Sequence, residues 1–260
     1  MAVVEALAGL FRRLPAQGAN ALSVDVPGLA YPGGLVWAPN IPGWDRMPLG
    51  KILRRRFNLP VLVESDRNAF VTGEAWQGRA KGFRDIVFII IGTGIGAGII
   101  SAGRLIRGRH QLSGCLGWMA VRDRFLPVYR TVGCLEAHVA GPGIARSARR
   151  VFQRDTQVRE VVALARQGDP RAKKILAQAG HYLGLALANL VDILNPQIIV
   201  IGGGVASAGR LLLAPAERTM RQWAQPLAVQ QVRITRSRLG GRAGLFGAAK
   251  LCFDRFHGAR

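Results

Sequence analysis

Four glycines at alternate positions, Gly92, Gly94, Gly96 and Gly98, fall in the segment I-I-I-G-T-G-I-G-A-G-I-I that runs from Ile89 to Ile100. Glycine has no Cβ, so such a turn accepts positive φ and lets a ligand come close to the backbone. Successive backbone N–H groups there can form a nest for an anion, and Thr93 adds a hydroxyl. Two readings stand side by side: a phosphate cradle in a β-hairpin, or a tight hairpin whose glycines only relieve crowding. The spacing is not G-x-G-x-x-G, because Ala97 sits where that fingerprint needs glycine, and no G-x-x-x-x-G-K-[ST] occurs in the chain. Rossmann and Walker sites are therefore unsupported. A second glycine turn, Gly202-Gly203-Gly204, ends another apolar run. Two carboxylates also stand at conspicuous places. By residue type alone, Asp66 reads as the cap of a helix that follows a strand, and Glu136 as a first-turn helix glutamate.

The elements that must position these residues alternate along the chain. Helices are expected over Val3–Arg13, Leu49–Phe57, Asp66–Gln77, Gly133–Phe152, Val158–Gln167 and Pro170–Leu194, then from about Ala208 to Trp223 and over Ala243–Phe256. Strands are expected at Ala21–Val26, Leu35–Ala38, Pro60–Glu64, on both sides of the glycine turn, at Gln197–Ile201 and at Val232–Arg236. The remainder of Tyr31–Pro48, rich in Pro, Gly and Trp, and the stretch Arg104–Met119 read as loops. Strands alternating with helices predict an α/β fold, with ligands at the carboxyl ends of strands, where both glycine turns lie. The expected domain boundary lies near residue 82, dividing the chain into 1–82 and 83–260.

Composition excludes several classes. With 260 residues, 49% hydrophobic and 20% charged, the chain has the balance and length for a substantial core. No apolar run reaches the roughly 20 residues that span a bilayer. The N-terminus is apolar first and basic second, at Arg12 and Arg13, the reverse of a signal peptide, so a cytoplasmic protein is expected. Cys115, Cys134 and Cys252 are too few and too scattered for a disulfide framework, and no C-x-x-C is present. The net charge of +21 would suit nucleic acid, but the arginines are spread along the chain and no aromatics interleave with them. Solvated arginine-rich faces are the preferred reading, and neither a nucleic-acid nor a membrane partner is expected.

Five segments in collinear order resemble the ROK family (repressor, open reading frame, kinase) of the actin-like sugar kinase superfamily. They are V-E-S-D-R-N-A at 63–69, I-G-T-G-I-G-A-G at 91–98, G-C-L-G-W-M at 114–119, G-C-L-E-A at 133–137 and I-V-I-G-G-G-V at 199–205. P-N-I-P-G-W at 39–44 is similar to the family's loop before the sugar site. The resemblance implies an actin-like ATPase (ribonuclease H-like) fold of two α/β lobes. It also implies transfer of the γ-phosphoryl group of ATP, with Mg²⁺, to a hexose of the glucose or N-acyl hexosamine class. Asp66 would be the base toward the sugar hydroxyl; Asn40, Ser65, Asp66 and Glu136 would contact the sugar. Gly92, Thr93, Gly94 and Gly96 would hold phosphates, and Gly202, Gly203 and Gly204 would face the adenosine. A homodimer is implied too.

Departures from the family pattern point the other way. Ser65 stands where the family has a sugar-binding asparagine, and Cys115 and Trp118 stand where a glutamate and a histidine hold sugar hydroxyls. A thiol is a weak donor and an indole offers one N–H, so neither replaces them. The family's opening D-x-G-x-T strand is not among these residues, which predicts an incomplete N-terminal lobe with an exposed sheet edge. Impaired activity is therefore expected. The alternative is a non-catalytic binder of sugar or nucleotide, or a regulatory subunit. A repressor is disfavoured, because Met1–Gln17 leaves room for one helix, not a helix-turn-helix.

The family's zinc ligands would fall at Trp118, Pro127, Tyr129 and Cys134, of which only Cys134 can bind the ion. Metal analysis of the purified chain is expected to find no stoichiometric zinc; one tightly held zinc per chain would contradict this.

Overall fold

Helices and short strands alternate through the first quarter of the chain: α1 (Ala2–Arg13), β1 (Leu22–Val26), β2 (Leu29–Tyr31), β3 (Leu35–Trp37), α2 (Leu49–Phe57), β4 (Val61–Ser65) and α3 (Asp66–Gln77). The structure, a computed structural model, describes residues 2–13 and 18–257. Met1 and Leu14–Gln17, which the reading of the N-terminal helix touched, lie outside them. β1 and β4 pair in parallel, and β2 and β3 form a small antiparallel hairpin. Among the described residues β1 bonds to no other strand. Their apolar faces gather with α1 and α2 in one cluster, around Val36, Leu49 and Leu53, all fully buried.

The larger sheet follows. β5 (Ile86–Ile91), β6 (Ile95–Ser101) and β7 (Arg104–Leu105) form an antiparallel meander. After a 3₁₀ turn at Leu116–Trp118 come α4 (Tyr129–Val132), α5 (Cys134–Val139), α6 (Gly141–Phe152), α7 (Val158–Arg166) and α8 (Pro170–Leu194). β8 (Ile198–Gly202), a 3₁₀ turn at Gly204–Ala208, α9 (Arg210–Trp223), α10 (Pro226–Gln231), β9 (Arg233–Arg236) and α11 (Arg242–Phe256) complete the chain. The strand order is β7-β6-β5-β8-β9, with β8 parallel to β5 and to β9.

Period-two alternation explains why β5 and β8 are apolar throughout. Ile86, Phe88, Ile198 and Val200 face α3, while Val87, Ile89, Ile91, Ile199 and Ile201 face the cluster built around α8. Each such side chain stabilises the fold by about 1.5–3 kcal/mol when buried. α8 is bounded by its sequence: Asp169 accepts from the N–H groups of Arg171 and Ala172 at 2.7 and 3.2 Å, Pro170 opens the first turn, and Asn195 closes the last in the left-handed region.

Several expectations change. β2 lies just ahead of the Pro- and Gly-rich stretch, sharing only Tyr31 with it, in residues expected to form no element, and Arg104–Met119 contains a two-residue strand and a 3₁₀ turn. The helix expected over Gly133–Phe152 is two helices. Ala140 is extended, at φ −68° and ψ 162°, because Pro142 restarts the helix beyond it.

α3 and α11 cross closely enough for backbone contact. A Cβ on Gly247 would lie 1.7 Å from the Ala69 carbonyl oxygen, and one on Gly73 would lie 1.9 Å from that of Ala243. Gly247→Ala must push the helices apart and is expected to cost about 1–3 kcal/mol of stability. Gly9→Ala, in α1 with nothing within 4 Å of its Cβ, is expected to add about 0.5–1 kcal/mol. Equilibrium unfolding in denaturant checks both; equal, small effects would contradict the crossing.

Candidate active site

The glycine turn joins β5 to β6, as its flanking apolar runs predict. Ile91 pairs with Ile95, leaving Gly92, Thr93 and Gly94 as the turn. It is closed by the Gly92 N–H donating to the Gly94 carbonyl at 2.9 Å. None of Gly92, Gly94, Gly96 and Gly98 has positive φ, so left-handed backbone is not the reason for these glycines. Crowding explains two of them. A Cβ on Gly98 would lie 2.1 Å from the Arg67 carbonyl, so this glycine lets α3 pack on β6. A Cβ on Gly94 would lie 2.9 Å from Oε2 of Glu136. Gly96 would meet only ordinary contacts, and Gly92 nothing within 4 Å.

Glu136, in the first turn of α5, reaches this turn. Its Oε2 accepts from the Ile95 N–H at 2.7 Å. Burial raises its pKa and the Ile95 N–H partly offsets that. The start of α6 holds the other side, where the Gly141 N–H donates to the Gly92 carbonyl at 2.8 Å. Gly92 and Thr93 then line a cavity of about 930 Å³, together with Gly204 from the second glycine turn. Arg146, Arg149 and Arg159 give its wall a positive character against the single acid Asp155. Gly202 and Gly203 lie behind that wall: a Cβ on Gly202 would meet the Phe88 ring at 2.6 Å, and one on Gly203 the Ile91 carbonyl at 2.3 Å. The volume and the cationic wall suit a nucleotide.

Asp66 opens α3 at the carboxyl end of β4. Its Oδ1 accepts from the Arg67 N–H at 2.7 Å. Burial raises its pKa to about 6, against the opposing effects of that N–H and of the Arg67 charge; Asp25 raises it further. The preceding Glu64 fixes this corner. It is buried, accepts from Ser65 N–H and from Asn68 Nδ2, each at 2.9 Å, and pairs with Arg107 at 2.7 Å. Ser65 donates its hydroxyl to the Gly28 carbonyl at 2.7 Å. Arg67 runs under β6, with Nη1 on Cys115 Sγ at 3.3 Å and Nη2 on the Gln111 carbonyl at 2.6 Å, and its buried Nε has no partner. Asn40 is exposed in the turn after β3, and Trp118 is 56% exposed on its 3₁₀ turn.

The sequence reading named the turn glycines, Asp66 and Glu136 but missed the supporting side chains Glu64, Arg67, Arg107 and Arg159. At the family's zinc positions the donor set does not fit the ion. Tyr129 is buried with its hydroxyl 2.6 Å from His138 Nε2, Cys134 is the one thiol, and no three His, Cys, Asp or Glu side chains cluster among the described residues.

The chain is similar to known proteins over nearly its whole length. A family model described as ROK family matches residues 2–255. A glucokinase of Thermotoga maritima is 33% identical, over 89% of this chain and 80% of its own. An N-acetyl-D-glucosamine kinase of Escherichia coli is 31% identical, over 96% and 85%. Among solved structures, a glucokinase of Streptomyces griseus in complex with glucose and AMPPNP superposes with a TM-score of 0.82 at 29% identity, covering 96% of this chain and 87% of that one.

Gly94→Val forces Glu136 away from the Ile95 N–H and is expected to cost about 1–3 kcal/mol. Gly92→Val points into open cavity and is expected to leave stability within about 0.5 kcal/mol. Thermal or chemical unfolding decides, and an equal loss at both positions would contradict this assignment of the two glycines.

Proposed function

The chain belongs to the ROK family and has the actin-like ATPase fold of its sugar kinases, and from that premise we propose that it transfers the γ-phosphoryl group of ATP to a hexose hydroxyl, at a reduced rate. One observation carries the reading: a half-buried carboxylate at the start of α3, at the carboxyl end of β4, with its pKa raised to about 6. A base titrating near working pH combines a populated ionised form with useful proton affinity. Asp66 would take the hydroxyl proton as the oxygen attacks the γ-phosphorus. Glu136 has Oε1 left for a sugar hydroxyl, its Oε2 being held by Ile95, and Asn40 would approach from the β3 turn. The backbone of Gly92 and Thr93 would receive the phosphates, and Gly204 the adenosine side. Mg²⁺ would come with the nucleotide and would supply neutralisation of the phosphate charge. We extend the proposal to a homodimer in the cytoplasm; no described helix is long and apolar enough to cross a membrane.

The reduced rate follows from what the sugar side lacks. The Ser65 hydroxyl is spent on Gly28, Cys115 is engaged by Arg67, and Trp118 stands largely in solvent. Positioning and charge neutralisation supply most of the rate in phosphoryl transfer, so missing sugar contacts act on kcat. The same three residues favour a second reading, a binder of sugar and nucleotide without turnover.

A coupled assay with ATP, Mg²⁺ and a hexose panel separates these. The expected kcat lies below the roughly 1–100 s⁻¹ of ordinary kinases, and Asp66→Asn is expected to lower it by about 10²–10⁴-fold. Because the base must be ionised, kcat/KM is expected to fall about tenfold per pH unit below the Asp66 midpoint near 6. No turnover with any hexose, alongside measurable nucleotide binding, would establish the binder. A flat profile through pH 6 would remove Asp66 from the role.

A further inference from the structure

Two residues beyond Glu136, α5 presents His138 to a second cavity of about 120 Å³ that shares no lining residue with the large one. Arg122 enters it from the segment after the first 3₁₀ turn, Ser147 and Arg150 from α6, and Gln178 and Tyr182 from α8. No carboxylate lines it. Neither Arg122 nor Arg150, nor Arg146 beside them, makes an ion pair among the described residues. Unopposed cations gathered around a polar hollow repel one another, and an anion relieves that repulsion.

The donor geometry fits the same ligand. The Tyr129 hydroxyl is 2.6 Å from His138 Nε2; when it donates there, the imidazole proton sits on Nδ1, a donor. Arg122, Arg150 and His138 are then joined by the Tyr182 hydroxyl and the Gln178 amide, while the Ser147 hydroxyl donates to the Gly143 carbonyl at 3.2 Å, which leaves several donors and little room. We propose that this cavity is a binding site for one small oxyanion of the phosphate or sulfate class, held by Arg122, Arg150 and His138. The bound ion ties α5, α6, α8 and the Arg122 segment together, and so steadies the helix that carries Glu136. The groups facing His138 are Arg122, Arg146 and Arg150, the Tyr129 and Tyr182 phenols, and the Cys134 thiol beside Tyr129. Burial, then the three arginines, lower its pKa, so an anion must raise it.

Histidine NMR reads the site directly, because the chain has four histidines and His138→Gln assigns the signal. The probe is inorganic phosphate, exchanged for chloride at constant ionic strength. The expected result is a saturable shift of the His138 signal and a rise of its titration midpoint by about one unit or more. Sulfate is expected to act alike. Arg122→Gln and Arg150→Gln are each expected to weaken the response by about tenfold or more, and Arg159→Gln, which lines only the large cavity, to leave it intact. A response to phosphate no greater than to chloride, or one that survives Arg150→Gln or is lost in Arg159→Gln, overturns the proposal. A hexose phosphate binding more tightly than inorganic phosphate overturns the assignment to a free ion.

Discussion

A single carboxylate holds the centre of this molecule together. Glu136 accepts the Ile95 N–H at 2.7 Å, just where the glycine turn re-enters β6. A hydrogen bond to a charged group contributes about 1.5–3 kcal/mol, and an orphaned N–H costs a comparable amount. The approach is open only because two neighbours lack a Cβ. One on Gly94 would come within 2.9 Å of Oε2, and one on Gly117 within 2.8 Å. The Gly141 N–H fixes the other flank of the turn through the Gly92 carbonyl. The backbone that would receive phosphates and the carboxylate that would receive a sugar hydroxyl are therefore one mechanical unit, built from β5, β6, α5 and α6.

The second half of the proposed chemistry depends on a different carboxylate network. Glu64 is buried at the end of β4 and uses both oxygens, one on Ser65 N–H and Asn68, the other on Arg107. That pins the first turn of α3 to the loop behind β7. Asp66 then projects from a fixed backbone, with burial outweighing both the helix start and the Arg67 cation in setting its affinity for a proton. α3 is itself seated on β6 by the missing side chain of Gly98 and on α11 by those of Gly73 and Gly247. The proposed proton acceptor and phosphate turn thus belong to different sheets and meet through α3.

Much of this was legible in the residues. Apolar runs around alternate glycines gave the hairpin, and the alternation of strands and helices gave the fold class. Collinear turn motifs gave the family, and with it Asp66 and Glu136. What the residues concealed was the reason for each glycine. Spacing cannot distinguish Gly92, which borders a cavity, from Gly94, which makes room for a carboxylate, or Gly98, which admits a helix. Long-range partners were equally hidden: Arg107 meets Glu64 across 43 positions of sequence, and nothing local marks either. The break at Ala140 escaped because apolar periodicity continues through it, while Pro142, permissive at a helix start, gave no unambiguous stop. Tyr129 was legible only as a lost zinc ligand; its bond to His138 needed the fold.

Nucleotide affinity measures the coupling of the glycine turn to the Glu136 carboxylate. Titration calorimetry with a non-hydrolysable ATP analogue should compare the wild type with Glu136→Ala and Glu136→Gln. Glu136 does not line the large cavity proposed for the nucleotide, so a residue acting only on sugar would leave the analogue's affinity unchanged. A loss of about tenfold or more is expected for Glu136→Ala, equivalent to about 1.4 kcal/mol, with most affinity retained by Glu136→Gln, whose amide oxygen still accepts from Ile95. Unchanged nucleotide affinity in Glu136→Ala, with sugar binding alone lost, would contradict it.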